Sequence, residues 1–281
     1  MTTSKNSKTR NRVAGYWSES RKSLLRLTYP VATKKDLCNL FPEVSADTLK
    51  SYAHRLGLRK NKSRKVVSDV SWLLNGTNLS FYWLGFIMAD GNFSDQGNIR
   101  FYISVKDDYK VRELAELCKS KVHYRMSKST GNQFVGTTVY DSKVCKEIFR
   151  IFGLVKGKPK TYHPPNLSCL STDESFLSFL AGFIDGNGCI GSYDVVRRGK
   201  KTKLNSLVLC NHESWKDTYQ YINKRISELL NIKYLPSRVQ ICESKCRLTY
   251  RSVLFLRSLN SKVMSLNIPV MERKWVKLKN I

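Results

Sequence analysis

Apolar and polar positions recur along this chain with two different periods, and the switches between them mark out its elements. Between 46 and 56, Leu49, Tyr52, Ala53 and Leu56 fall at i, i+3, i+4 and i+7, which predicts a helix with Lys50, Ser51, His54 and Arg55 on its other face. Between 99 and 106 the period is two. Ile99, Phe101, Ile103 and Val105 lie on one face of a predicted strand, with Arg100, Tyr102, Ser104 and Lys106 on the other. Two stretches are almost wholly apolar: Trp83-Leu84-Gly85-Phe86-Ile87-Met88-Ala89-Asp90-Gly91 and Leu180-Ala181-Gly182-Phe183-Ile184-Asp185-Gly186-Asn187-Gly188. Each reads as a helix with small residues four apart (Gly85 and Ala89, Gly182 and Gly186), a spacing that lets two backbones approach on one face. Each runs out at a glycine, the usual residue past a last helical turn.

Turn residues and caps arrange the remaining elements around these two helices. The first helix, with Asn78 or Ser80 as its cap, is followed by a short strand, the strand over 99–106 and a helix from Asp107 to about Cys118. Strands near 121–127 and 133–140 come next, then a helix capped by Asp141 that ends at Gly153. The second helix, opened by Thr172-Asp173-Glu174, precedes strands over 189–196 and 204–211, a helix over 214–230, strands near 238–242 and 246–251, a helix over 252–265 and a last helix around Arg273-Lys274-Trp275. The expected class is therefore α+β: two αββαββα repeats with antiparallel sheets, at 76–165 and 166–281. Ahead of them, Ser18, Thr33 (with Asp36 three residues on) and Ser45 are placed to cap three short helices. Gly57 and Leu58 would close the third as a Schellman cap. The expected divisions are a basic disordered arm at 1–15, a small all-α module at 16–62 and a basic linker at 63–75.

Charge narrows the partner. The chain carries 49 Lys and Arg against 22 acids, a net +27 in 281 residues, which calls for a polyanion: nucleic acid first, an anionic membrane surface as the alternative. Residues 1–75 hold 16 cations and 5 acids. Three short helices with a tight turn before a basic third one resemble a helix-turn-helix module, in which Lys50, Ser51, His54 and Arg55 would meet DNA. Arg59, Lys60, Lys62, Arg64 and Lys65 would lie along a groove. No apolar run approaches the length of a membrane span, and no apolar core follows the basic N-terminus as in a signal peptide. Eight scattered cysteines without a CxxC pair read as reduced core thiols in a cytoplasmic protein. The chain starts with Met and ends in Ile281 without the terminal residues of an intein, so it is expected to be free-standing or intron-encoded.

Asp90 gives the chemistry a starting point. An acid at a helix C-terminus faces the negative end of the dipole and costs roughly 0.3–1 kcal/mol, so stability does not account for it and a bound cation would. The two glycine-rich stretches, WLGFIMADG and LAGFIDGNG, resemble the paired motif of LAGLIDADG homing endonucleases in their single-chain, two-repeat form, over roughly residues 75–281. The resemblance implies that the two motif helices pack side by side, that their C-terminal acids meet beneath the scissile phosphates of double-stranded DNA, and that the sheets form a saddle over a long asymmetric site. The chain would act as a monomer with internal pseudo-two-fold symmetry. It further implies Mg²⁺, with Mn²⁺ or Ca²⁺ as substitutes for binding, held by Asp90, Asn187 and the carbonyls of Ala89 and Gly186. Lys158 and Lys274 would serve catalysis as paired lysines, with Lys156 and Lys160 as rivals for the first place. The expected DNA-facing residues of the two repeats are Arg100, Tyr102, Ser104, Lys106 and Arg125, the cations Arg197, Arg198, Lys200, Lys201 and Lys203 of a hairpin tip, and Asn211, Arg238, Gln240, Arg247 and Thr249.

Asn187 departs from that pattern, because the motif normally has an acid there. An amide oxygen still ligates a hard cation but brings no charge. Three alternatives follow: a natural enzyme that tolerates Asn or nicks one strand, an engineered Asp→Asn form, and a DNA- or RNA-binding maturase or repressor without cleavage. Asp185, two residues earlier, should point away from the centre, since residues two apart on a helix do not share a face.

Overall fold

The computed structural model describes residues 16–30, 32–60, 68–93, 97–127, 129–155, 159–197 and 199–279. The expected arm at 1–15 lies outside them. The chain divides into two compact units, Met1–Lys65 and Val66–Ile281.

Among its described residues the first unit includes the helices α1 (Glu19–Thr28), α2 (Lys34–Leu40) and α3 (Ala46–Arg55). Ser18, Thr33 and Ser45 cap them, Thr33 through a reciprocal capping box with Asp36. The Leu58 amide returns to the Ala53 carbonyl and the Gly57 amide to that of His54, with Gly57 at φ +70°, which completes the Schellman cap. Trp17, Leu25, Leu37, Phe41, Leu49 and Ala53 form a core of their own, and the Trp17 ring stacks on Tyr52 at 4.1 Å.

The second unit contains α4 (Asn78–Asp90), β1 (Gly91–Phe93), β2 (Asn98–Ser104), α5 (Asp108–Leu117), β3 (Val122–Met126), β4 (Gln133–Tyr140) and α6 (Ser142–Ile151). The second repeat follows with α7 (Asp173–Asn187), β5 (Gly188–Arg197), β6 (Lys200–His212), α8 (Lys216–Leu229), β7 (Val239–Cys242), β8 (Lys245–Tyr250), α9 (Val253–Met264) and α10 (Glu272–Lys279). Each repeat builds one four-stranded antiparallel sheet in the same order, β1-β2-β4-β3 and β5-β6-β8-β7. One continuous core joins the repeats, with Trp83, Phe86, Phe179 and Phe183 at its centre.

Four details differ from the sequence expectations. Thr77 caps α4 by accepting from the Ser80 amide, because the cap must precede the first helical residue, and Asn78 already is that residue. Residues 68–75 are no linker: Val70 and Leu73 are buried in the second unit's core, and Asp69 bonds back to the Cys118 carbonyl. Cys169, Cys189 and Cys242 are exposed, although all eight thiols are free. Gly91 and Gly188, at φ −73° and −85°, are not left-handed caps. Glycine is needed there for room, since a Cβ would stand 2.5 Å from the Ile87 carbonyl oxygen or 2.7 Å from that of Ile184. The chain thereby passes from helix to strand without a loop. Among the described residues no helix is long and apolar enough to cross a membrane.

Candidate active site

The ends of α4 and α7 form the centre of the second unit. A Cβ on Gly85 would stand 1.9 Å from the Phe179 carbonyl oxygen, and a Cβ on Gly182 1.9 Å from that of Tyr82. The two contacts are reciprocal, as a pseudo-two-fold axis between the helices requires. One turn further on, a Cβ on Gly186 would meet Ala89 Cβ at 2.3 Å and the Asp90 carboxyl at 3.3 Å. Backbone therefore lies against backbone up to the last turn, and the Asp90 carboxylate sits directly over the missing side chain of Gly186.

The helix ends leave their last carbonyls without intrahelical partners, and on each side a lysine collects these together with the Ile87 or Ile184 carbonyl, which also accepts from the following glycine amide. Lys160 Nζ donates to the carbonyls of Ile87 (3.2 Å), Met88 (2.5 Å) and Ala89 (3.0 Å). Lys274 Nζ donates to those of Ile184 (3.0 Å), Asp185 (2.5 Å), Gly186 (3.4 Å) and Gly188 (2.8 Å). The lysine facing the first helix is thus Lys160. Lys158, expected as the partner of Lys274, lies outside the described residues together with Lys156; among the described residues the counterpart of Lys274 is Lys160. The reason is geometric. The chain between the repeats passes the end of α4 at residue 160, and an ammonium with three donors fits three converging carbonyls. These cations offset the dipole penalty on an acid at a helix C-terminus.

Electrostatics follow from crowding. Asp90 keeps its carboxylate open to solvent, yet protein surrounds it closely enough to raise its pKa, against the lowering pull of Lys160 and Lys274. Burial brings Lys160 down to about 7, opposed by Asp90, and lowers Lys274 as well, opposed chiefly by Asp185. Asp185 points away from the centre. Its carboxylate is buried and accepts from the Tyr82 hydroxyl (2.8 Å), the Met271 amide (2.7 Å) and Trp275 Nε1 (2.7 Å), which ties α4, α7 and the segment leading into α10 together. Burial lifts its pKa to about 6.

Asn187 is placed differently from Asp90. Its Nδ2 donates to the Cys210 carbonyl of β6 at 3.2 Å, a bond that an ionised acid could not make. Among the described residues no group of three or more His, Cys, Asp and Glu side chains is gathered as for a metal ion. The Asp90 carboxylate lies against Gly186, the carbonyls of Ala89 and Gly186 already accept from lysines, and Asn187 is half-buried at the end of the other helix.

Each sheet starts directly from one of these helix ends, β1 at Gly91 and β5 at Gly188. On the first, Arg100, Tyr102, Ser104 and Arg125 share one face, the register pairing Arg100 with Thr138, Tyr102 with Gly136 and Arg125 with Phe134. Lys106 is not on that strand, because Ser104 caps a turn of 3₁₀ helix over Val105–Asp107. On the second sheet, Gln240, Arg247 and Thr249 point outward together with Lys245. Asn211 does not: it shares the core parity of Leu207 and Leu209 and donates to the Tyr219 hydroxyl at 3.0 Å. Arg238 also turns inward. It lies in a 3₁₀ turn before β7, donates to Ser227 Oγ and the Lys233 carbonyl, and stacks on Tyr250 at 5.1 Å. Lys200, Lys201 and Lys203 are exposed on the β5–β6 hairpin, while Arg198 and the side chain of Arg197 lie outside the described set. In the first unit Lys50, Ser51, His54 and Arg55 are exposed along α3, as are Arg59 and Lys60, although Lys60 bonds to the Ala32 carbonyl; Lys62, Arg64 and Lys65 lie outside the described residues.

Compared with protein-family models the sequence matches none, and no curated protein sequence is similar to it. Its fold, by contrast, is similar to solved structures. The LAGLIDADG meganuclease I-CpaMI, solved bound to uncleaved DNA, superposes with a TM-score of 0.52 at 11% identity, over 71% of this chain and 89% of that one. The I-LtrWI LAGLIDADG homing endonuclease bound to target DNA gives 0.47 at 14% identity, over 72% and 87%. I-SmaMI bound to an uncleaved DNA target in the presence of calcium ions gives 0.48 at 11%, over 70% and 89%. The chain has the two-repeat fold of the single-chain LAGLIDADG homing endonucleases.

Proposed function

We propose that this protein is a site-specific endonuclease that hydrolyses phosphodiester bonds in double-stranded DNA, with its two half-sites unequal. The observation that carries the reading is the open Asp90 carboxylate, seated over Gly186 where the reciprocal glycine contacts hold two helix ends together. The oxygens of Asp90, Ala89 and Gly186 are the donors that suit a hard divalent cation such as Mg²⁺, and the tight approach of Gly186 to Ala89 brings the Asp90 carboxylate within van der Waals reach of the other helix end. Such an ion, when bound, neutralises phosphate charge and makes a water nucleophilic. The chain's own contribution is to orient Asp90, to hold the Ala89 and Gly186 carbonyls through Lys160 and Lys274, and to bring two lysine amines near the developing charge. Asn187 adds an oxygen but no charge, so its half-site binds metal more weakly.

Strand length supports a long target. The 13 residues of β6 extend roughly 40 Å at about 3.3 Å per residue, on the order of a dozen base pairs, against 7 residues in β2. The saddle is thus asymmetric, like the site it would read. The first unit supports a second DNA contact of helix-turn-helix type, with Lys50, Ser51, His54 and Arg55 exposed on its third helix.

A second reading, DNA binding without cleavage, draws on the bond from Asn187 Nδ2 to the Cys210 carbonyl, which uses the residue for packing. Plasmid cleavage in Mg²⁺ separates the two. The endonuclease reading expects nicking by the chain with Asn187, double-strand cutting by Asn187→Asp and no cutting by Asp90→Asn. Duplex binding with no cutting in any of the three proteins supports the binder instead.

A further inference from the structure

The outward face of the first sheet carries one assembly that packing does not require. Gly136 sits in β4, paired with both β2 and β3. A Cβ there would stand 2.2 Å from Tyr102 Cδ1 and 2.5 Å from Cγ, so the Tyr102 ring lies down across the sheet over the glycine. Glycine inside a strand marks such a close approach. The Tyr102 hydroxyl is covered and has no hydrogen-bond partner among the described residues, which fits a ring held by packing along the surface. Its far side supports Arg125, whose guanidinium carbon lies 4.4 Å from the ring centroid. Arg125 is exposed and has no ion-pair partner among the described residues. A flexible cation has thus been given a fixed platform without being neutralised.

Arginine needs no such platform to attract phosphate, which any exposed cation does. It gains from one when both arms of the guanidinium must arrive together at a planar acceptor pair. In a duplex the base edge with two such acceptors is guanine, through O6 and N7 in the major groove. From this geometry we infer that Arg125, held by Tyr102 over Gly136, reads one guanine of the target and fixes a single G·C pair within it. The inference rests on the DNA-binding reading above and adds to it a specificity-determining residue and the base it selects.

Selection from a pool of randomised duplexes, with the full chain, tests it. The natural protein should return one invariant G·C pair on the flank read by the first repeat, which both Arg125→Ala and Tyr102→Leu lose. The Tyr102 variant keeps Arg125 and the core intact. In competition binding, changing that pair should weaken the natural protein roughly 10- to 100-fold and the two variants by less than about threefold. Arg125→Lys keeps the charge but not the fork, and should not restore the preference. If Arg125→Lys binds as the natural protein does, or if Arg125→Ala weakens all duplexes alike and lowers the salt dependence, Arg125 is a phosphate contact and the inference fails. Unchanged base preferences in both variants also overturn it while leaving the DNA-binding reading intact. No duplex bound by any of the proteins overturns both.

Discussion

Replacing Gly182 by alanine would test whether the two helix ends hold the centre together as described. The new methyl would lie 1.9 Å from the Tyr82 carbonyl oxygen and 2.8 Å from the Phe86 amide nitrogen. Both atoms belong to the backbone of α4, so no side-chain rotation relieves the clash. Real Cβ atoms keep at least 3.0 Å from such neighbours, which requires α4 and α7 to part by about 1 Å. Overpacking of this kind costs about 1–3 kcal/mol. The parting also opens a gap along Phe86, Phe179 and Phe183, and a gap of that width forfeits roughly a quarter to a half of each facing dispersion contact. A total of about 3 kcal/mol or more follows, a drop of roughly 6–12 °C in the melting temperature of a unit this size. Urea and thermal unfolding would be compared with Gly191→Ala, whose methyl would meet nothing closer than Tyr193 Cδ1 at 3.8 Å and should be nearly neutral. Cleavage should fall further than folding, because Asp90 and Gly186 move apart with the helices. A Gly182→Ala protein within about 1 kcal/mol of the natural one would show that the helices do not approach as closely as this account requires.

Other outcomes follow from the same geometry. Arg273 forms a two-bond ion pair with the buried Asp107, and its removal strands that carboxylate; Arg273→Met should lose about 1–3 kcal/mol after allowance for its exposed guanidinium, and adding Asp107→Asn should recover part of the loss in urea titrations. Lys160 titrates near 7 in the fold against about 10.4 in the open chain, so between those values the unfolded state binds the extra proton and unfolding free energy rises with pH. Midpoints measured at pH 6.5, 8 and 9.5 should rise in the natural protein and flatten in Lys160→Met; equal slopes would remove Lys160 as the cause. Lys50→Ala combined with Arg55→Ala should shorten the nuclease footprint at one end and leave the cut position unchanged, and an unaltered footprint would separate the first unit from DNA.

The sequence made much of this architecture legible because its signals are local. Thr33-x-x-Asp36 and Gly57-Leu58 declare their caps within four residues, and period-two alternation identifies the strand that carries Arg100 and Tyr102. The glycines at 85 and 182 were legible as places of close approach, though what they approach is set only by the fold. Three lysines at 156, 158 and 160 are equivalent in sequence, and it is the path of the chain past α4, which no local pattern contains, that brings Lys160 to the carbonyls of Met88 and Ala89. Asn211 departs from its expected outward place because the odd positions of β6, with Leu207 and Leu209, face the core. Arg238 precedes its expected strand by one residue, because a 3₁₀ turn ends there and sends its side chain inward to Tyr250. The Arg125–Tyr102 stack depends on a glycine on a third strand, a relation that no pattern along one segment contains.

The reciprocal seating of Gly85 and Gly182 on each other's helix has a consequence for how such a protein can change over generations. The positions that the fold cannot vary are small and chemically silent, whereas Asp90 sits at the rim of the interface, where a substitution disturbs little packing. If the chain cuts DNA as proposed, loss of cutting through Asp90 would be nearly invisible to selection on folding, solubility or abundance. A chain of this kind can drift into a silent DNA binder while remaining well folded, and only a test of the DNA strands themselves would register the change.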